Sequence, residues 1–266
     1  MTPGLLVLAL WAGAPLHCQA ALEAEVTQIK PGAPFYAAVR LTPEPGWHTY
    51  WMNPGDSGFA TTVKWELPSG WRVGPIEWPV PELMVTSAGT NYCYPHEVEL
   101  RAMLIPPHNL LTGHVSIGAD TQWMACREAC VFGHADLTLD LAVGRHLRVN
   151  RDARRRIRAV QSSLPQMPSS SLTARRDGTC VVVDLGPIKP PPNVTFFGAD
   201  ATIDPTEPAQ VTSDGSSYHV RLQLSPYAAP NPTWLGGILV VPRGETLSGG
   251  TRALLVDVPI HVGGSR

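Results

Sequence analysis

The sequence predicts an all-β protein: an immunoglobulin-like β-sandwich, then a helical linker, then a second, smaller β-sandwich domain. Three observations carry that expectation. Short apolar runs of strand length are bounded by turn residues along most of the chain. Proline (27) and glycine (24) are scattered through the 266 residues rather than clustered, as breakers between many short strands would be. One stretch in the middle changes to a breaker-free run rich in helix formers. With 44% hydrophobic and 16% charged residues, the chain has material for cores and lacks the charge of a disordered one. A formal net charge of -2 gives no bulk attraction to nucleic acid or to an anionic membrane.

The N-terminus reads as an export signal over residues 1–20. Leu5 to Ala14 is an apolar run of signal length, too short to span a bilayer. Cys18-Gln19-Ala20 supplies small residues at the outer positions of a cleavage site, so the mature chain is expected to start near Ala21. Lipidation at Cys18 and a buried N-terminal strand or helix are the alternatives; His17 stands where a lipidation site wants a small residue. Beyond the signal no run of about 18 apolar residues occurs, so no further membrane span is expected.

From residue 21 to 143 the expected strands are Leu22–Ile29, Pro34–Leu41, Trp47–Trp51, Thr61–Leu67, Ile76–Trp78, Val98–Ile105, His114–Trp123 and Ala135–Leu141. Leu137, Leu139 and Leu141 alternate with Thr138 and Asp140, the period of a half-buried strand. Pro43 to Gly46, Asn53 to Asp56 and Pro68 to Gly70 are turn chemistry. Strands at this spacing suggest the immunoglobulin-like sandwich.

Residues 144–171 form the expected linker. Asn150 can cap a helix running to Gln161, and Pro165 and Pro168 stop anything beyond it. Seven arginines fall between Arg145 and Arg158, which admits a nucleic-acid or lipid patch; without interleaved aromatics the expectation is a solvated linker helix and no nucleic-acid partner. Residues 172–266 carry the second set of strand candidates: Val181–Leu185, Val194–Phe197, Val220–Leu224, Ile238–Val241 and Ala253–Val258.

Four cysteines remain after the signal: Cys93, Cys126, Cys130 and Cys180. In an oxidising compartment they allow two disulfides and three connectivities. Cys126 and Cys130 stand four apart in the segment Thr121 to His134. In one extended strand they would lie about 13 Å apart, out of reach of a disulfide. In a helical turn or tight loop the Cα atoms come within about 6 Å. The segment is therefore expected to leave a strand near Trp123, turn, and rejoin one after Gly133. A short disulfide loop on a strand connection is exposed, and such bonds tend to be labile. A purely structural disulfide is the plainer alternative. Zinc needs further soft ligands at short spacing, and only His134 is near; copper accepts thiols and imidazoles. No metal site and no cofactor is assigned.

The runs GWHTYWMNPGDSG (46–58), WELPSGW (65–71), GPIEWPVPE (74–82), NYCYPHEVEL (91–100) and QWMACREACVFGHADLTL (122–139) follow one another as in a known family. In that order they resemble the N-terminal periplasmic domain of DsbD-like thiol:disulfide interchange proteins, in the variant resembling suppressor-of-copper-sensitivity B proteins. The likeness covers residues 22–143 and extends more loosely into the second β region through Phe196 to Pro205.

The resemblance implies an immunoglobulin-like redox domain in the periplasm that accepts electrons from a membrane-embedded carrier and passes them to oxidised thioredoxin-like proteins. By position, Cys126 and Cys130 match the redox pair, and Cys130 the cysteine that forms mixed disulfides. Tyr92, Cys93 and Tyr94 fall where the family has a cap loop over the pair, with Cys93 in place of a glycine. The likeness does not extend to a membrane carrier, so a separate one is the expected donor. Trp123 could wall the site, or belong to the core. Arg127 and His134 could lower a thiolate pKa if they point inward. The alternative function is a non-catalytic β-sandwich binding module with a structural disulfide, to which the family analogy would add a link to copper tolerance.

Overall fold

The computed structural model describes residues 17–86, 89–247 and 250–262. The apolar run Leu5 to Ala14 lies outside them. Strands dominate, and the first domain begins β1 (Cys18–Ala24), β2 (Val26–Ile29), β3 (Phe35–Pro43) and β4 (Thr49–Gly55). It continues through β5 (Thr62–Glu66), β6 (Arg72–Val73), β7 (Glu82–Thr86) and β8 (Gly89–Tyr94). Its last strands are β9 (Val98–Ile105), β10 (Gly113–Cys126), β11 (Cys130–Val143) and β12 (Arg148–Val149).

Two sheets face each other, in the orders β1-β3-β9-β6 and β12-β2-β11-β10-β5. Leu22, Val39 and Leu100 from one meet Ile117, Trp123 and Leu141 from the other in a single core. A third, small sheet, β4-β8-β7, lies alongside. The expected strand from Leu22 to Ile29 is two strands, because the chain changes sheets at the buried Glu25, whose carboxylate accepts from the Tyr36 amide at 3.1 Å. Cleavage after Ala20 would remove three residues of the β1–β3 pairing, which starts at Cys18 opposite Pro43. Ile76 to Trp78 forms only one bridge, Glu77 with Arg101; Pro75 and Pro79 bracket it and lack the amides a longer ladder needs.

The helix, α1 (Arg151–Ala159), is capped as expected: the Asn150 side chain accepts from the Ala153 amide, and a 3₁₀ turn, Val160–Ser163, follows. Its polar face is exposed, as expected of a linker helix, but its apolar face is docked. Ala153 and Ile157 are buried against Ala38 of β3. The arginines turn towards β1 and its neighbours: Arg156 pairs with Glu23, and Arg158 with Glu25 at 2.9 Å. Arg101 of β9, 2% exposed, donates to the Ile157 carbonyl at 2.8 Å and to the Gln161 side chain at 2.6 Å. Four of the seven arginines, Arg154, Arg155, Arg156 and Arg158, are thus paired with carboxylates.

The second domain comprises β13 (Thr173–Asp177), β14 (Cys180–Asp184), β15 (Thr195–Gly198), β16 (Gln210–Ser213), β17 (Tyr218–Gln223), β18 (Trp234–Val240) and β19 (Ala253–Val262). It is one seven-stranded sheet, β15-β18-β19-β13-β14-β17-β16, rather than two separate ones. The ten-residue β19 makes this possible: residues 253–259 pair with β18 and residues 260–262 with β13. Residues from both halves, including Val183, Leu222, Leu239 and Val256, close on one another as a core.

The two domains share apolar contacts. Phe197, Ile238, Val240 and Ala253 join the core of the first domain. The Phe197 ring lies 4.9 Å from that of Tyr92 and 6.4 Å from that of Trp51. Asn53 adds hydrogen bonds to the carbonyls of Gly198 and Asp200.

Candidate active site

The cysteine pair sits at the tip of the β10–β11 hairpin. The two strands pair without a slip from Gly113 opposite Val143 up to Cys126 opposite Cys130. Towards the tip β10 therefore runs three residues further, and β11 five, than the sequence suggested, leaving only Arg127, Glu128 and Ala129 as the connection. The cysteines bridge across the hairpin, with Cα atoms 4.2 Å apart and the disulfide formed. No helical turn is needed: a cross-strand pair supplies the approach that a single strand could not.

Strand alternation assigns the faces. Trp123 and Ala125 point into the sandwich core, whereas Met124 and Cys126 point out of it. Trp123 is 2% exposed and belongs to the core, on the face opposite the disulfide. Gly133 is its cross-strand partner, and a Cβ there would come within 2.1 Å of the indole, so glycine makes room for the ring.

On the outer face Tyr50, Cys93, Met124 and Cys126 form a small apolar cluster separate from the main core, with Met84 packed against it. The segment before β4 docks on the hairpin tip, where His48 and Cys126 exchange both backbone hydrogen bonds at 3.0 Å. His48 is buried, which lowers its pKa, and its Nε2 lies 3.3 Å from the Tyr50 hydroxyl. Cys93 stands opposite Tyr50 on β8.

Tyr92, Cys93 and Tyr94 are thus interior positions of a strand rather than a loop, at 1%, 0% and 6% exposure, and of the three Cys93 shares the cluster of Cys126. Tyr92 packs towards the second domain, and the Tyr94 hydroxyl donates to the Pro79 carbonyl at 2.6 Å. Cys93 is a free thiol; burial, then the charge of Glu82, pushes its pKa up to about 12. Nearly every side chain of β8 is buried, so the segment has no alternation by which the sequence could announce a strand.

The segment that crosses this face is the loop after β4. Gly58, at φ +91°, lies so close to the Tyr50 ring that a Cβ would be 2.3 Å from it. The next residue, Phe59, puts its ring 5.0 Å from that of Phe132. Phe132 shares the outer face with Cys130, two residues away on β11. Sequence reasoning missed His48, Tyr50, Phe59 and Phe132. The period-two pairs 48/50 and 130/132 were the available signal.

Arg127 and His134 do not both serve the pair. Arg127 lies over the Trp47 ring at 5.6 Å, at the hairpin tip. His134 is about 13 Å further down β11 by strand geometry. It is held by Asp120 at 3.0 Å and Asp136 at 3.4 Å. These three could in principle offer ligands to a metal, but the cluster is largely solvated and nothing else points to an ion.

The two cysteines differ in access. Cys126 is 3% exposed, while Cys130 is open to solvent. A buried and an exposed cysteine, joined at a hairpin tip, is what an exchange reaction uses. Residues 18–142 match the family model described as "Thiol:disulfide interchange protein DsbD, N-terminal". That stretch is a DsbD-type N-terminal domain. The whole chain shares its fold with the N-terminal periplasmic domain of ScsB from Proteus mirabilis: 16% identity, 93% of this chain and 94% of that one covered, TM-score 0.60. A protein of unknown function from Porphyromonas gingivalis W83 is far less similar, at 12% identity and TM-score 0.27 over 92% of this chain and 99% of its own. No curated protein matches the chain. The DsbD-type domain accounts for the sandwich, and the ScsB likeness extends the shared architecture through the second domain.

Proposed function

We propose that this chain is a periplasmic thiol–disulfide exchange protein. It relays electrons from a membrane-embedded carrier to oxidised thioredoxin-like proteins through Cys126 and Cys130. The unequal exposure of the two cysteines is the observation that carries the reading. In the reduced state the exposed Cys130 loses its proton and its thiolate attacks one sulfur of a partner disulfide. The partner's S–S bond breaks, a mixed disulfide forms, and the other partner sulfur leaves as thiolate and takes up a proton. Cys126, deprotonated in turn, attacks Cys130 Sγ; the Cys126–Cys130 bond forms and the second partner sulfur leaves. Two electrons and two protons have then passed to the partner. Thiols of the membrane carrier reverse the sequence to reload the pair.

Buried Cys126 cannot easily meet a protein disulfide, but it lies directly opposite Cys130, where a resolver must be. The test is trapping. Cys126→Ala should accumulate mixed disulfides with an oxidised thioredoxin-like protein, seen as non-reducing gel shifts. Cys130→Ala should not. Equal trapping by both variants, or trapping through Cys126 alone, removes the assignment.

A further inference from the structure

Five phenylalanines occur in the chain. Phe35, Phe196 and Phe197 are buried at 1%, 6% and 3% exposure. The other two are Phe59, at 60%, and Phe132, at 63%; they meet each other, and Phe132 stands two residues from the exposed Cys130. A single exposed aromatic needs no explanation, but two from different segments, brought together at one place, do. Their placement is not slack. Phe132 is fixed by the hairpin register, opposite Met124. The loop bearing Phe59 is tied down: Asp56 exchanges hydrogen bonds with Thr90 through its amide and carboxylate, and Ser57 donates to the Asn91 side chain. Gly58 then lies flat on Tyr50 and leaves the Phe59 ring outside.

Resting on the exchange reading above, we infer that the Phe59–Phe132 pair is the docking surface for the partner protein, selecting protein disulfides framed by apolar side chains over small soluble ones. Geometry requires it to be touched. Phe132 projects from the same face as Cys130, two residues along the same strand, so a folded partner that brings a sulfur to Cys130 must lie over what flanks it. Rigid aromatics beside a reacting group bury much area at small entropic loss, the character of interface hot spots. A small disulfide can reach Cys130 without covering either ring.

The experiment uses the full chain, pre-reduced with dithiothreitol that is then removed, and two oxidants: oxidised thioredoxin and hydroxyethyl disulfide. Phe132→Ala and, separately, Phe59→Ala should slow reduction of thioredoxin about tenfold, the size of one hot-spot residue. Reduction of hydroxyethyl disulfide should stay within about twofold of the parent rate, which also shows that the cysteine pair is intact. Unchanged thioredoxin rates in both variants overturn the docking inference and leave the exchange reading standing. An equal fall for both oxidants also overturns it, since the rings would then support the cysteines. A parent that dimerises and becomes monomeric in Phe132→Ala, with thioredoxin rates unchanged, assigns the patch to a second copy instead. A parent inert to both oxidants defeats the exchange reading itself.

Discussion

The third thiol near the pair is the residue whose chemistry the tertiary structure changes most. Cys93 shares one apolar cluster with Cys126, which by itself would invite a rearranged disulfide. Its burial argues the other way. With a pKa pushed up to about 12, almost none of it is thiolate at neutral pH, and thiolate is the species that exchanges. Native reduced protein treated briefly with iodoacetamide at neutral pH should therefore carry label at Cys130, while Cys93 remains unlabelled until denaturant is added. Peptide mass mapping reads this directly, and prompt labelling of Cys93 would contradict it. Cys93→Ala should leave the Cys126–Cys130 exchange rate within about twofold.

At the scale of elements, α1 rests on the carboxylates of Glu23, Glu25 and Glu99, of which Glu99 is the one left without hydrogen bonds. Glu99 is 7% exposed, and neither of its carboxylate oxygens has a hydrogen bond. Burial and then repulsion from Glu23 raise its pKa to about 7, against the pull of Arg40 and Arg156. The folded state thus holds a proton on Glu99 that the unfolded chain, near 4.5, releases. The stabilising contribution is whole below the unfolded value and is lost as pH rises through about 7. Glu99→Gln should remove that dependence and make the protein more stable than the parent at pH 8, by about 1–3 kcal/mol. Urea unfolding at pH 5.5 and pH 8 measures it. A variant less stable than the parent at pH 8 would mean that the Arg156 contact at 3.5 Å outweighs the burial of the charge.

Across the whole molecule, the second domain completes the core of the first. Phe197 sits between Trp51 and Tyr92, and Ile238 and Val240 extend the same cluster. A shared core couples the unfolding of the parts it joins. The chain should unfold in one transition, with circular dichroism and tryptophan fluorescence coincident. Phe197→Ala should lower its stability by about 3 kcal/mol or more. Two separate transitions in the parent would make the domains independent.

The sequence by itself determined the class of the fold, the capped helix and the cysteine pair, since each depends on residues close along the chain. Turn chemistry between short apolar runs announces strands, Asn150 announces a helix start, and four-residue spacing announces a closable loop. The ordered runs from Gly46 to Leu139 added the family expectation. Tertiary structure decided what depends on distant neighbours. It buried Tyr92, Cys93 and Tyr94 in a strand with no alternating pattern, where a cap loop was expected. It set Trp123 on the core face and brought Phe59 to Phe132 across a gap of 73 positions. It also docked one face of the Arg-rich linker helix, because Glu23, Glu25 and Glu99, far off in sequence, lie beneath it. Local signals fix which elements form; which face each one buries depends on partners that the chain meets only once it has folded.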